Sequence, residues 1–464
     1  MYQVPQHIDK NKIFIVQRSE IEGRLDPIMA LYNRKAQSSL YPKVRLKDLI
    51  VCKPQYGAGE PGIERKNVSD ARYIRITDID ENGLISQDDL GATANYIEDK
   101  YILNENDILI ARSGNTVGKA YIHKSAPYDC FFAGYLIRFI IDKQKALPEY
   151  IFTFTQLKTY KDWVKAVQRP SGQPNINSEE YQSLEIPLPD IDKQQEIVDI
   201  INSAYLQKRQ KESEAQLLLD SIDAYILNEL GITIPEIKTD LKNRIFKVNR
   251  SELEERLDPT VYKDGIKLCS NNCDNVKLSS VAYVNPTGTF NGKDIETPIS
   301  FIPMESIDEV YSEVSKLEDT TIENASGFTK FKVEDLLWAK ITPCMQNGKS
   351  AIAKNLTNGL GCGSTEFFVM RPKDERLAIE YLHVILHMKC VRETAMLFFG
   401  GSAGQQRVSS AFLENFNLPL PPKDKQIEIA NHVYTIRQKA KALQEEGNAL
   451  LEEAKRKVES MIIG

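Results

Sequence analysis

The ten residues RSEIEGRLDP at 18–27 return at 250–259 as RSELEERLDP, with eight letters unchanged. The shift is 232 positions in a chain of 464, half its length. No other feature limits the fold so tightly, because two copies of one unit must each build the same backbone frame. The same shift recurs downstream. VRLKDL at 44–49 aligns with VKLSSV at 276–281, the Gly172-Gln173 pair with Gly404-Gln405, and IPLPDIDKQQEI at 186–197 with LPLPPKDKQIEI at 418–429. Between these anchors the halves diverge. The chain therefore divides into an arm at 1–43, a lobe at 44–189 and a long segment at 190–232. A second arm at 233–275, a second lobe at 276–421 and a second long segment at 422–464 follow.

Both long segments read as helices. Pro189 and Pro422 precede them, Asp192 and Asp424 stand where an N-cap is expected, and Gln195 completes a D-x-x-Q box in the first copy. Apolar residues then recur at the spacing of a narrow helical stripe. In the first they are Ile197, Ile201, Ala204, Ala215, Leu218, Ile222 and Tyr225; in the second, Ile429, Val433, Ile436, Ala440, Leu443, Leu450 and Ala454. Lys208 and Lys211 interrupt the first stripe and Gly447 the second. Such stripes suit a two-helix coiled coil. At 1.5 Å per residue each helix spans roughly 58 Å. The lobes read as mixed α/β. IRITDID, NDILIAR and YLIRFIID in the first, and SFIPME, DLLWAKI and EFFVMRP in the second, are strand-like. EYIFTFTQLKTYKDWVKAV and IEYLHVILHMKCVRETAMLFF have helical spacing.

Hydrophobic residues make up 42% of the chain and charged residues 27%, a balance that supports a packed core, and no apolar run reaches the ~18 residues of a membrane span. MYQVPQHIDKNK at the N-terminus has no apolar signal core, and seven scattered cysteines make no disulfide framework, so the cytoplasm is the expected compartment. A net charge of −6 argues against a nucleic-acid partner until its distribution is considered. Residues 108–178 carry ten Lys/Arg against four Asp/Glu, and residues 330–411 eleven against seven, whereas residues 190–240 carry five against eleven. Two basic lobes are joined by an acidic segment.

Few motifs carry chemistry. CMQNGKS at 344–350 ends like a phosphate-binding loop, but Pro343 stands where the first glycine is required. RSGNTVGKA at 112–120 has the wrong spacing and no hydroxyl after Lys119. Both share a strand, a loop and a Gly-Lys pair (118–119 and 348–349) whose ammonium suits a nucleic-acid phosphate. His383 and His387 lie four apart with neither a general base between them nor a third ligand, and Cys269 and Cys273 have no second pair; all four read as structural. No nucleophile elbow, amino-methyltransferase tetrad or nuclease carboxylate cluster is legible, and no motif calls for a metal or cofactor.

The polar loops ahead of the long helices carry more. RPSGQPNINS at 169–178 and GGSAGQQRVSS at 400–410 combine glycine with the Arg, Gln, Asn and Ser side chains that hydrogen-bond base edges. The candidate DNA contacts are Arg112, Ser113, Asn115, Lys119, Arg169, Gln173, Asn175 and Asn177 in the first lobe. In the second they are Lys340, Gln346, Asn347, Lys349, Gln405, Gln406 and Arg407. Lys119 and Lys349 are expected on phosphate, Gln173 and Gln405 on bases.

On the PLP-x-x-DKQ-x-EI anchors, the duplicated RSE-x-E-x-RLDP and the Gly-Gln loops, the chain resembles the specificity (S) subunits of Type I restriction–modification systems over both halves. Lys193 and Lys425 stand where that family often has Glu before the Gln. The resemblance implies two target-recognition domains joined by two long antiparallel helices around a pseudo-two-fold. It implies a non-catalytic subunit that reads a bipartite, asymmetric site on double-stranded DNA. It also implies two methylation subunits, which carry S-adenosylmethionine and modify adenine, and restriction subunits, with ATP and Mg on those partners. A system that fuses restriction and methylation in one polypeptide, and a nuclease or methyltransferase whose active site leaves no pattern, stay open as alternatives.

Overall fold

The computed structural model describes residues 15, 27–35, 39–85, 90–168, 174–234, 247, 259–402 and 405–463, with backbone alone at 27, 33–35 and 262–264. Arg169, Gln173 and all but the last residue of each RSE-x-E-x-RLDP copy lie outside the described residues. The described residues form two compact units. One gathers those up to 210 with those from 446 onward; the other comprises 211–445.

The lobe of the first unit is built on a strand that is apolar throughout. Ile108–Ala111 buries all four residues, the pattern of a strand covered on both faces. It lies between Leu136–Phe139 and Ala120–Ile122, with Gln55–Tyr56 at the edge, all antiparallel. A second sheet pairs Arg72–Ile74 in parallel with Cys130–Phe132 and continues through Ala92–Thr93 to Ile63–Glu64. Helices Pro148–Gln156 and Lys158–Val167 complete the core. The helical pattern there is broken at Leu157, whose backbone is extended (φ −81°, ψ 158°) although no Pro or Gly marks the break. Tyr150, Phe154, Tyr160 and Trp163 all enter one core, each large side chain contributing about 2–3 kcal/mol by burial.

The lobe of the second unit has the same frame in different residues. Leu336–Ala339, again wholly buried, lies between Phe367–Pro372 and Ser350–Ile352, with Ala282–Val284 at the edge. Its second sheet pairs Pro298–Ile302 in parallel with Leu360–Gly363, flanked by Glu318–Thr321 and Thr329–Lys332. Helices Ile379–His387 and Lys389–Met396 break at Met388 (φ −54°, ψ 139°).

The repeated anchors are the residues that tie each lobe shut. Lys43–Arg45 pairs with Glu185–Pro187, setting Val44 opposite Ile186, and Asp274–Lys277 pairs with Asn417–Leu420, setting Val276 opposite Leu418. The Gln of each DKQ is fully buried. Gln194 accepts from Leu147 N (2.8 Å) and donates to Pro189 O (2.9 Å); Gln426 accepts from Ala378 N (2.8 Å) and donates to Pro421 O (2.8 Å). Tyr150 and Tyr381 donate likewise to Pro187 O and Pro419 O. Leaving one such buried group unpaired costs about 1–3 kcal/mol, which explains why these letters are the same in both halves.

The long helices run Ile191–Glu229 and Lys423–Ile463. Asp192 and Asp424 fall inside the first turns rather than at caps. In the first helix Asp190, immediately outside, accepts from Lys193 N (2.9 Å), and Gln195 reaches forward to Asp199 (2.8 Å) instead of closing a box. Asp190 is the carboxylate one residue before the helix, and so meets the third N–H. Within the first unit Ile197, Val198 and Ile201 share a core with Val458 and Ile462. Within the second, Ile222, Ile226 and Leu230 share one with Ile429, Val433 and Ile436. Tyr225 lies on the His432 ring (4.0 Å between centroids), and Lys425 pairs with Glu229. In each unit an early stretch of one helix meets a late stretch of the other, so the contacts are antiparallel. The stripe departs from its expected letters. Gly447 and Leu451 are buried rather than Leu450, and Ile226 rather than Tyr225. An α-helix turns every 3.6 residues, so its buried line drifts off a strict 3.5 spacing. Among the described residues no helix is long and apolar enough to cross a membrane.

Candidate nucleic-acid interface

In both lobes the buried central strand runs out into one of the candidate loops, and the loop before the long helix folds back onto it. In the first lobe Ser113 and Asn175 are bridge partners, Gly114 N donates to Pro174 O (2.9 Å) and Ile176 N to Arg112 O (2.9 Å). In the second, Ile341 and Arg407 are bridge partners, Thr342 N donates to Gln406 O (3.0 Å) and Val408 N to Lys340 O (2.9 Å). The two seams share one register. Arg112 corresponds to Lys340, and Asn175 to Arg407.

The side chains on this common backbone differ. In the first lobe the Arg112 guanidinium lies over the Tyr56 ring (4.8 Å), with its Nε buried and without a hydrogen-bond partner among the described residues. Asn115 is exposed, and Ser113 and Asn175 are half-buried. In the second lobe Lys340 lies over the Phe368 ring (5.5 Å), Gln405 is exposed and Gln406 half-buried. Arg407 grips Glu366 through Nε (2.9 Å) and Nη2 (2.8 Å) and donates from Nη1 to Gln405 O (3.0 Å). That guanidinium holds the Glu366 carboxyl below its usual range.

The remaining candidates have partners inside their own lobes. Lys119 Nζ donates to Ile79 O (2.9 Å) and Lys349 Nζ to Met304 O (3.3 Å), so each ammonium ties its turn to the short helical turn that follows Arg72–Ile74 or Pro298–Ile302. The glycine before each lysine is required: Gly118 and Gly348 have φ of +87° and +88°, and an added Cβ would fall 2.7 Å from Val164 or 2.9 Å from His387. Asn177 caps helix Ser178–Gln182, accepting from Glu179 N and Glu180 N (2.9 Å each), and Ser409 caps Ser410–Asn415 from Ala411 N (3.3 Å). The Gln346 carbonyl accepts from Arg392, and Asn347 Nδ2 donates to Glu309 (3.2 Å). His383 is buried and His387 half-buried: His383 Nε2 meets Ser350 Oγ (3.0 Å) and His387 Nε2 meets Glu309 O (3.2 Å). Burial pushes His383 down to about 3 and His387 well below its ordinary value. Cys269 and Cys273 are free thiols.

Three residues of the seams were missed in the sequence. Tyr56 packs on Arg112, and Tyr135, 65% exposed, accepts from Arg112 N through its carbonyl (2.9 Å). Glu366 O accepts from Lys340 N (2.9 Å) at the corresponding place. Tyr135 left a signal, since an aromatic after Gly134 in an apolar run marks a turn. Tyr56 and Glu366 left none, because pairing between distant strands brings them to the seam.

A sequence profile described as Type I restriction modification DNA specificity domain matches residues 41–218 and again 271–453. The chain belongs to this DNA-specificity family. Each matched range of the DNA-specificity family holds one seam with its loops. The chain is 36% identical over 161 residues to the Type I restriction enzyme EcoEI specificity subunit of Escherichia coli, covering 33% of this chain and 26% of that relative. It is 36% identical over 157 residues to the EcoAI specificity subunit of Escherichia coli, covering 33% and 26%. The matched stretch thus spans about a quarter of these relatives. A solved structure concerned with complex assembly and conformational transition of the type I R-M system is similar over 90% of this chain and 96% of its own, with a TM-score of 0.49 and 16% identity. The HsdS subunit of Thermoanaerobacter tengcongensis is similar over 90% and 95%, with a TM-score of 0.36 and 15% identity.

Proposed function

We propose that this chain is the DNA-specificity subunit of a Type I restriction–modification complex and catalyses nothing itself. Each lobe reads one half of a bipartite, asymmetric site on double-stranded DNA. The long helices set the spacing and dock two methylation subunits, which bring S-adenosylmethionine and methylate adenine; restriction subunits using ATP and Mg join them. The observation that carries the reading is the pair of seams: one backbone register in both lobes, with Arg112 and Asn175 on one and Lys340 and Arg407 on the other. A frame kept constant under changed hydrogen-bonding side chains is what two readers of different base sequences need. The base-reading candidates are Arg112, Ser113, Asn115 and Asn175, with Arg169 and Gln173 retained from the sequence, and Lys340, Gln405, Gln406 and Arg407. Lys119, Lys349, Gln346, Asn347 and Asn177 position them.

The test is a lobe exchange in the assembled complex. Residues 276–421 are replaced by the corresponding lobe of another family member, and methylated adenines are mapped genome-wide. One half of the methylated site changes and the other stays. A change in both halves, or in neither, rejects the reading.

A further inference from the structure

The seam of the second lobe carries an ion pair whose counterparts in the first lobe are uncharged. Glu366 stands just ahead of Phe367–Pro372, and its carbonyl accepts from Lys340 N (2.9 Å) where the central strand ends. Its carboxylate, 21% exposed, accepts from Arg407 Nε (2.9 Å) and Nη2 (2.8 Å) together. Arg407 comes from the loop on the other side of the seam, as the bridge partner of Ile341, and its Nη1 donates to Gln405 O (3.0 Å). A guanidinium has five N–H groups. Three are committed in this way, and one remains on each terminal nitrogen of a side chain that is 43% exposed. In the first lobe Tyr135 stands in the place of Glu366 and Asn175 in that of Arg407. A phenol and an amide replace the carboxylate and the guanidinium.

The charge and geometry of the pair decide what it can bind. A guanidinium by itself suits a phosphate as well as a base edge. Here a phosphate seated on Arg407 would lie beside the Glu366 oxygens and be repelled by them, whereas a neutral acceptor edge would not. Lys340 acts on the same carboxylate from over the Phe368 ring (5.5 Å), so the three groups together still present one positive charge to DNA. The carboxylate also fixes the plane of the guanidinium, because two parallel hydrogen bonds remove its rotation before any ligand arrives. In the major groove only guanine offers two acceptors, O6 and N7, on one base, which matches two N–H groups held in one plane.

We propose that Arg407 reads a guanine in the second half-site and that Glu366 is the positioning residue that aims it. The inference rests on the proposed DNA-reading function and names the base read at this point of the seam.

The test uses the assembled complex, the second half-site being the one that changes in the lobe exchange. In the wild type, 7-deazaguanine is placed at each guanine of that half-site in turn. It removes the N7 acceptor without changing charge, and at one position it weakens binding about ten-fold. Arg407→Gln with Glu366→Gln removes the pair and leaves the net charge unchanged. This double variant binds the specific duplex about ten- to a hundred-fold more weakly and no longer responds to 7-deazaguanine. Its affinity for scrambled duplex and its salt slope between 50 and 200 mM stay at wild-type values. Glu366→Gln by itself releases the guanidinium to a phosphate: the log–log salt slope steepens by about 0.9 and the 7-deazaguanine penalty shrinks. A second half-site without guanine, a wild type indifferent to 7-deazaguanine at every position, or a penalty that persists in the double variant overturns Arg407 as the reader. A full penalty and an unchanged slope in Glu366→Gln overturn the positioning role. A wild-type complex that does not prefer its specific duplex overturns instead the reading function on which the inference rests.

Discussion

Asn177 and Gln405 are both polar side chains in the loops that fold back onto the seams, yet their surroundings separate them. The Asn177 oxygen is committed to two backbone N–H groups of the following helix, whereas Gln405 is exposed. Asn177→Ala should lower stability by about 1 kcal/mol through the lost cap and change the preference for the specific duplex far less than loss of a base contact does. Gln405→Ala should leave stability intact and weaken binding to the specific duplex by on the order of 1–3 kcal/mol, with little change on scrambled DNA. Denaturant unfolding and competitive binding of each variant separate the two. His383 makes a different kind of prediction. Desolvation first, then the Arg437 charge, keep it neutral in the fold, pushed down from 6.5 to about 3. Below pH 6.5 the unfolded chain takes up a proton that the folded chain refuses, so stability present above that pH is lost as the pH falls toward 3. The slope is about 1.4 kcal/mol per pH unit for one such group, and His387 adds to it in the same direction. Unfolding of the second unit should therefore be easier at pH 5 than at pH 7.5. His383→Gln, which keeps a partner for Ser350, should reduce that difference; an undiminished difference would show that His383 is not a source of it.

Gly447 was legible as an interruption of an apolar stripe, but its meaning was not. It is buried because the Lys208 backbone comes against it, and a Cβ there would sit 3.4 Å from Lys208 Cα and Cγ, at ordinary contact. Gly447→Ala should thus gain roughly 0.5–1 kcal/mol from helix propensity, while Gly447→Leu should lose about 1–3 kcal/mol by overpacking. Thermal and denaturant unfolding of the two variants reads the sign change. The long helices were readable because one residue in three or four is apolar over many turns. The central strands were readable because NDILIAR and DLLWAKI are apolar without alternation. The breaks at Leu157 and Met388 were not, since neither carries a Pro or Gly and the chain turns there only because the next helix packs on the lobe core. The candidate loops were found by their polar residues, but not that they pair with each other. A bridge between Ser113 and Asn175 is a fact of tertiary register that no local spacing encodes. The same limit applies to Lys119 and Lys349, whose Gly-Lys pattern shows a turn but not that each ammonium bonds a carbonyl of its own lobe.

For the molecule as a whole, the long helices are proposed to fix the distance between the two base-reading seams, and that can be tested without touching either lobe. In the first unit Gly447 faces Lys208, so in an antiparallel pair residues 207–213 of one helix face 442–448 of the other. Removing both heptads together keeps the helical phase within about 20° and leaves Glu229 with Lys425, and Ile197 with Val458, on residues outside the deletion. A deletion in one helix alone would instead set those contacts against each other. The paired deletion shortens each helix by about 10 Å at 1.5 Å per residue, close to three base pairs of B-DNA at 3.4 Å each. The expected outcome is a complex that methylates the same two half-sites with a spacer shorter by about three base pairs, read by mapping methylated adenines. The seams lie wholly outside the deleted residues, so half-site identity has no reason to move. Methylation that persists at the original spacing would show that the helices do not set it. Loss of all methylation in a deletion variant that still unfolds cooperatively would show that the removed heptads hold the methylation subunits rather than measure the DNA.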